Sequence, residues 1–210
     1  MAVGLDEDDY RREALGAFSH EIRTPLTSLR MVMELAGRES AGGPLTLDAE
    51  LAPMLHASVD SLQVLADDLQ ELSRFERGRL VLSRGPAGLR AAQAAAAELA
   101  GPRISVTGGE PPDLDGPWDP KRLVRALAGF LESANRAGDG SGEVAVMWTI
   151  DGAFVSCQLS SGIPRPATKN VAADVGFCFF RSRAYTLAMG GAVEWERGEH
   201  YLAIRLLLPL

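Results

Sequence analysis

The sequence predicts an α+β protein in two parts. An antiparallel helical hairpin, completed to a four-helix bundle by a second copy, is followed by an α/β sandwich. Three observations carry this. Apolar residues recur at alternating steps of three and four in two long stretches before Gly78, and Gly42-Gly43-Pro44 separates the two. After Gly78 the pattern changes to short alternating strands interleaved with helices. The change divides the chain into residues 1–78 and residues 79–210.

The first helix is expected from about Asp8 to Arg38. Its acidic lead (Asp6, Glu7, Asp8, Asp9) suits the positive end of the helix dipole. Leu15, Phe18, Ile22, Pro25, Leu29, Val32 and Ala36 form its seam. The second helix is expected from about Asp48 to Arg77, stopped by Gly78, with Pro53 best suited to the first turn. Leu51, Leu55, Ser58, Leu62, Leu65, Leu69 and Leu72 form its seam. One hairpin cannot cover both seams, so a homodimer is expected.

In the second part, Leu80-Val81-Leu82 reads as a strand and Ala87 to Ala100 as a helix. Arg103 to Thr107 reads as a strand, and Gly108 to Pro117 as a loop. Asp119-Pro120 places a capping carboxylate and an N1 proline at the start of a helix that runs to about Ala137. Glu143 to Ile150 and Ala153 to Leu159 form a hairpin across Asp151-Gly152. Gly162-Ile163-Pro164 opens a loop, and Phe177 to Met189 is a helix ended by Gly190-Gly191. Ala192 to Glu196 and Tyr201 to Leu207 close the sheet.

Composition narrows the function. A hydrophobic content of 46% and a charged content of 23% describe a globular chain rather than a disordered one. The net charge of −7 argues against nucleic acid as the main partner. Cys157 and Cys178 stand in no metal or redox spacing. The sequence holds neither a signal peptide nor an apolar run long enough to span a membrane, so no membrane partner and a cytoplasmic location are expected. Such a chain is either free-standing or the cytoplasmic piece of a longer protein.

The chemistry concentrates in Phe18-Ser19-His20-Glu21-Ile22-Arg23-Thr24-Pro25-Leu26. With Leu15 at heptad position a, His20 falls at f, away from the seam and toward water or a partner. No second histidine follows four residues on, which excludes the paired-histidine zinc helix, and no metal site is expected. An imidazole can attack phosphorus with one nitrogen while a neighbour orients the other. One turn separates His20 from Thr24, so both can share a face.

This stretch resembles the phospho-acceptor motif of bacterial two-component sensor histidine kinases. Leu69-Gln70-Glu71-Leu72-Ser73-Arg74-Phe75-Glu76-Arg77-Gly78-Arg79-Leu80 resembles the end of that family's second dimerisation helix. The resemblance implies that His20 carries phosphoryl, that Glu21 assists as base, and that Thr24 places water for dephosphorylating a partner. It implies a response-regulator receiver domain as partner, docked beside His20 on Ile22, Arg23 and Leu26. It also implies that the second part is the family's ATP-binding domain.

There the resemblance weakens. Ser133 stands where the family has its metal-binding asparagine, and Gly129 where it often has another. Asn135 is turned about 200° away on a helix, and a serine hydroxyl is a weaker magnesium ligand than an amide oxygen. Gln158 replaces the aspartate that reads adenine, Ser160 replaces a glycine, and Gly162 remains. The later glycine pair becomes Gly176-Phe177-Cys178. These changes imply that ATP binding is weak or lost, so no cofactor is expected unless the chain is an active kinase using Mg-ATP. The leading reading is a histidine phosphotransferase that exchanges phosphoryl between His20 and receiver aspartates. The alternatives are an active kinase core and a pseudokinase scaffold without phosphoryl chemistry; a phosphatase variant using Glu21 and Thr24 lies between.

Overall fold

A computed structural model describes residues 7–39, 47, 49–138, 142–161, 174–197 and 202–210. Helix α1 (Glu7–Glu39) and helix α2 (Leu51–Glu76) form the expected antiparallel hairpin. Pro53 lies in the first turn of α2, where its missing N–H has no helical partner to lose. Helix α1 runs on through Pro25. The far end of the hairpin has its own small core of Val32, Ala36 and Leu51.

The second part contains β1 (Gly85–Gly88), α3 (Leu89–Ala100), β2 (Ser105–Gly108), β3 (Asp115–Trp118), α4 (Pro120–Ala137), β4 (Glu143–Asp151), β5 (Phe154–Ser161), α5 (Phe177–Ala188), β6 (Ala192–Arg197) and β7 (Leu202–Pro209). Five strands form a mixed sheet in the order β2-β4-β5-β7-β6. Only β2 and β4 run parallel; the other neighbours are antiparallel. Inward residues alternate along the strands, with Val155, Cys157 and Leu159 on β5 and Leu202, Ile204, Leu206 and Leu208 on β7 all buried. Helices α4 and α5 pack over this face. The predicted α/β sandwich is therefore present.

One expectation is corrected. Leu80-Val81-Leu82 pairs with no strand. The pairing falls instead on Gly85–Gly88 against Asp115–Trp118, an antiparallel ribbon of its own. Both segments are rich in Gly and Pro, which read locally as helix start and loop. Their ladder is a non-local contact that no local pattern announces. Leu80 and Leu82 still pack on the core. Leu15 of the expected seam is 57% exposed within one chain, whereas Pro25, Val32 and Ala36 of the same seam are buried. Ala14 and Ala17 face the protein's interior, in one continuous core with the sandwich.

Helix α5 explains that shared core. Phe177, Cys178, Phe179, Phe180, Ser182, Tyr185 and Thr186 are all buried, so the helix has almost no solvent face. Phe179 lies edge-on to Trp195 of the sheet, whereas Phe180 packs on Tyr10 and Phe177 on Phe18 of the hairpin. Tyr10 also donates its hydroxyl to the Phe180 carbonyl (2.6 Å). Burial pushes the Tyr10 phenol up to about 12, so the hydroxyl keeps its proton and the bond is a permanent donor contact.

Asp119 caps α4 as its position before Pro120 predicts. Its carboxylate accepts from the backbone N–H of Arg122 (3.1 Å) and of Ser83 (2.9 Å), and pairs with the Arg122 guanidinium. Burial by itself would raise this carboxyl, but the two N–H groups and the guanidinium outweigh it and hold it below the ordinary aspartate value of 3.8. Its stabilisation is therefore complete above that value and is lost as pH falls through the depressed one. Asp119→Asn is expected to cost about 1–2 kcal/mol at pH 7. In urea unfolding followed by circular dichroism, the gap between variant and native chain should shrink on acidification toward pH 3. A gap that persists unchanged would refute the capping account.

Candidate functional site

His20 is exposed on α1, as the heptad position requires. It lines a cleft of about 530 Å³ with Glu21, Thr24 and Pro25 of α1, Asp60, Ser61, Val64 and Leu65 of α2, and Arg136 of α4. His20 and Thr24 therefore share a face. Ile22 is half-buried, Arg23 is exposed and Leu26 is 49% exposed, and none of the three lines this cleft.

Glu21 also reaches the sandwich. Its Oε1 accepts the backbone N–H of Phe177 at the start of α5 (2.9 Å) and pairs with Arg136 Nη1 (2.9 Å). Both contacts satisfy a carboxylate at a helix N-terminus, where the macrodipole favours negative charge. In this arrangement Glu21 joins the hairpin to the sandwich.

A second junction lies further along α2. Asp68, only 3% exposed, receives the guanidinium groups of Arg125 and Arg181. Glu71 pairs with Arg122 (3.0 Å) and Arg125 (3.5 Å) and accepts the Tyr185 hydroxyl. Burial, then the bond to Glu71, raises the Tyr185 phenol far above its usual range, so Tyr185 stays the donor. Sequence reading did not single out Asp68, Glu71, Arg125, Arg136 or Arg181. The one available signal was α5 itself, where Phe177 to Phe180 leave no polar face and so demand packing on two sides.

Among the positions assigned to the nucleotide, Ser133, Gly176 and Cys178 come together. Ser133 is fully buried and donates to the Gly129 carbonyl (2.6 Å). Ser133 Oγ also lies 3.2 Å from Cys178 Sγ, whose thiol donates to the Val175 carbonyl (3.5 Å). Burial pushes that thiol up to about 12, which leaves it unreactive. Gln158 and Ser160 lie apart from this group. They alternate with the buried Cys157 and Leu159, and Gln158 lines a separate cleft with Glu194, Glu196 and Arg205. Gly162 lies outside the described residues.

Helices α4 and α5 touch closely at Gly129. A Cβ there would fall 2.2 Å from Ser182 Oγ and 3.0 Å from the Cys178 carbonyl oxygen. Alanine would gain about 1 kcal/mol of helix propensity, but the backbone carbonyl cannot move aside cheaply. Gly129→Ala is expected to destabilise by about 1–2 kcal/mol net, read as a lower urea midpoint. A raised midpoint would show that the two helices are less tightly apposed.

Residues 10–78 match the family model of the His Kinase A phospho-acceptor domain. The first part of the chain thus resembles a histidine-kinase phospho-acceptor domain in sequence. The chain is 28% identical over 141 residues to the signal transduction histidine-protein kinase BaeS of Escherichia coli K12, covering 65% of this chain and 29% of BaeS. It is 29% identical over 143 residues to the histidine protein kinase DivJ of Caulobacter vibrioides, covering 65% and 24%. The match thus spans less than a third of the length of these relatives. The chain's fold matches Acinetobacter baumannii histidine kinase AdeS with a TM-score of 0.72 at 18% identity, over 90% of this chain and 97% of that one. It also matches full-length ShkA, solved in complex with AMPPNP, with a TM-score of 0.61 at 20% identity, over 95% and 45%. No helix among the described residues is long and apolar enough to cross a membrane.

The resemblance of the second part to an ATP-binding domain would place a magnesium nucleotide between α4 and α5. The described residues there do not fit one. The Ser133 hydroxyl is buried, spent on Gly129 and in contact with Cys178. The N-terminus of α5, the natural seat for a phosphate, holds the Glu21 carboxylate instead. Among the described residues no group of three or more His, Cys, Asp or Glu could hold a metal.

Proposed function

We propose that this histidine-kinase core works as a phosphoryl carrier rather than as an ATP-driven kinase. His20 attacks the phosphorus of a receiver's aspartyl phosphate. A phosphorus–nitrogen bond forms, the phosphorus–oxygen bond breaks, and the aspartate leaves as carboxylate while the imidazole releases its proton to water. The reverse step loads a second receiver. The energy is already in the acyl phosphate, so no nucleotide is needed. The observation that carries the reading is the contrast between an exposed His20, sharing a face with Thr24, and a nucleotide position filled by protein side chains.

The receiver meets the hairpin beside His20 through Ile22, Arg23 and Leu26. A second copy covers the rest. Leu15 and Met33 are 57% and 49% exposed, and their spacing of eighteen residues, about five full turns, puts them on one face of α1. That uncovered apolar stripe supports a homodimer. The cytoplasm, where receivers reside, is the expected location.

An active kinase core is the second reading, favoured by one observation: the match to BaeS runs over 141 residues, well past the phospho-acceptor segment. Two labelling reactions separate them. A receiver domain carrying labelled phosphoryl should label this chain, and γ-labelled Mg-ATP should not. Label from ATP alone would establish the kinase, and label from neither would leave the scaffold.

A further inference from the structure

Glu21 and Arg136 meet over Gly176. That glycine has φ of +76°, and a Cβ on it would fall 2.8 Å from Arg136 Cζ and 2.8 Å from Glu21 Oε1. The space left by the missing side chain is thus filled by a guanidinium and a carboxylate. Glu21 is fixed in turn by the Phe177 N–H (2.9 Å). Arg136 comes from α4, yet it lines the same cleft as His20 and Thr24 on the hairpin. Its side chain is 41% exposed, so part of the group faces solvent while Nη1 holds Glu21.

A phosphoryl group brings a charge of about −1.5 to −2. On His20 it would stand next in sequence to the Glu21 carboxylate, and two anions so close repel unless a cation lies between them. A guanidinium offers five N–H donors in a planar fork that matches phosphate oxygens, and the bond to Glu21 leaves other donors for a second anion. We infer that Arg136 holds the phosphoryl group once it stands on His20, with Glu21 and Gly176 acting as positioning residues that keep the guanidinium in the cleft. Glu21 then serves this chain as the anchor of Arg136. The sandwich contributes a cation to the phosphohistidine in place of a nucleotide. The inference rests on the reading that His20 carries phosphoryl.

The test loads the full chain with phosphoramidate, which needs neither receiver nor ATP. The phosphorus–nitrogen bond of the reagent breaks, a new one forms to the imidazole, and ammonia leaves with the imidazole proton. Two quantities are read by phosphorus NMR: the lifetime of the phosphohistidine at pH 7 and the titration midpoint of its phosphoryl oxygens. A nearby cation favours the doubly charged form, so Arg136→Gln should raise that midpoint by about one unit and shorten the lifetime about tenfold. Arg136→Lys, which keeps the charge but loses the fork, should fall between. Gly176→Ala, which pushes the guanidinium aside without removing it, should shift both readouts in the direction of Arg136→Gln. Equal lifetimes and midpoints in native chain and Arg136→Gln would overturn the inference alone. A native chain that takes up no phosphoryl on His20 from phosphoramidate or from a phosphorylated receiver would overturn the phosphoryl-carrier reading and this inference with it.

Discussion

Replacing His20 by alanine is expected to abolish phosphoryl uptake from a phosphorylated receiver while leaving the fold intact. His20 is exposed, and no hydrogen bond or ion pair ties it to the described residues. Removing such a side chain changes stability by no more than about 0.5 kcal/mol. The nucleophile, by contrast, has no substitute in the cleft. The other lining groups are Glu21, which is occupied by Arg136 and Phe177, the unactivated hydroxyls of Thr24 and Ser61, and Asp60. Loss of label should therefore be complete rather than partial. Phosphoprotein electrophoresis gives the label, and thermal unfolding gives the stability. A variant that still takes up phosphoryl would move the chemistry to another residue. A variant that takes up none yet still strips phosphoryl from the receiver would identify a phosphatase working through Thr24.

Asp68→Ala is expected to be among the most destabilising single changes, costing about 3–5 kcal/mol. Asp68 is nearly inaccessible and neutralises Arg125 and Arg181 together. Arg181 is itself only 10% exposed. Burial acts against its charge, but Asp68 outweighs burial and keeps it firmly protonated. A guanidinium cannot escape an apolar site by losing its proton. Without Asp68 it must either remain buried and unpaired or draw α5 away from α2. The control is next in sequence: Asp67 is exposed and accepts from Gln63 Nε2 on the helix surface (3.0 Å), and Asp67→Ala should stay within about 0.5 kcal/mol. Urea unfolding by circular dichroism compares the two. Equal midpoints would mean that the hairpin does not dock through this cluster.

These two residues mark the limits of sequence reading. The hairpin was legible because a seam of threes and fours is a local, repeated signal, and because His20 falls off that seam by arithmetic alone. Helix α4 was legible from Asp119-Pro120, and the β4–β5 hairpin from Asp151-Gly152, since caps and tight turns depend on a few neighbouring residues. The ribbon of Gly85–Gly88 with Asp115–Trp118 was not, because a ladder between glycines and prolines is specified by what lies opposite. Gln158 was aligned with the nucleotide position by sequence order, but strand alternation turns it to the other face, beside Glu194 and Arg205.

By itself the sequence determined the α+β class, the long hairpin and the exposed imidazole, all of which follow from periodicity and local turn chemistry. Only the tertiary structure decided where Glu21, Asp68, Arg136 and Arg181 go. Ion pairs between segments far apart in the chain leave no periodic trace. Their geometry exists only once burial of α5 on both faces has brought hairpin and sandwich into contact.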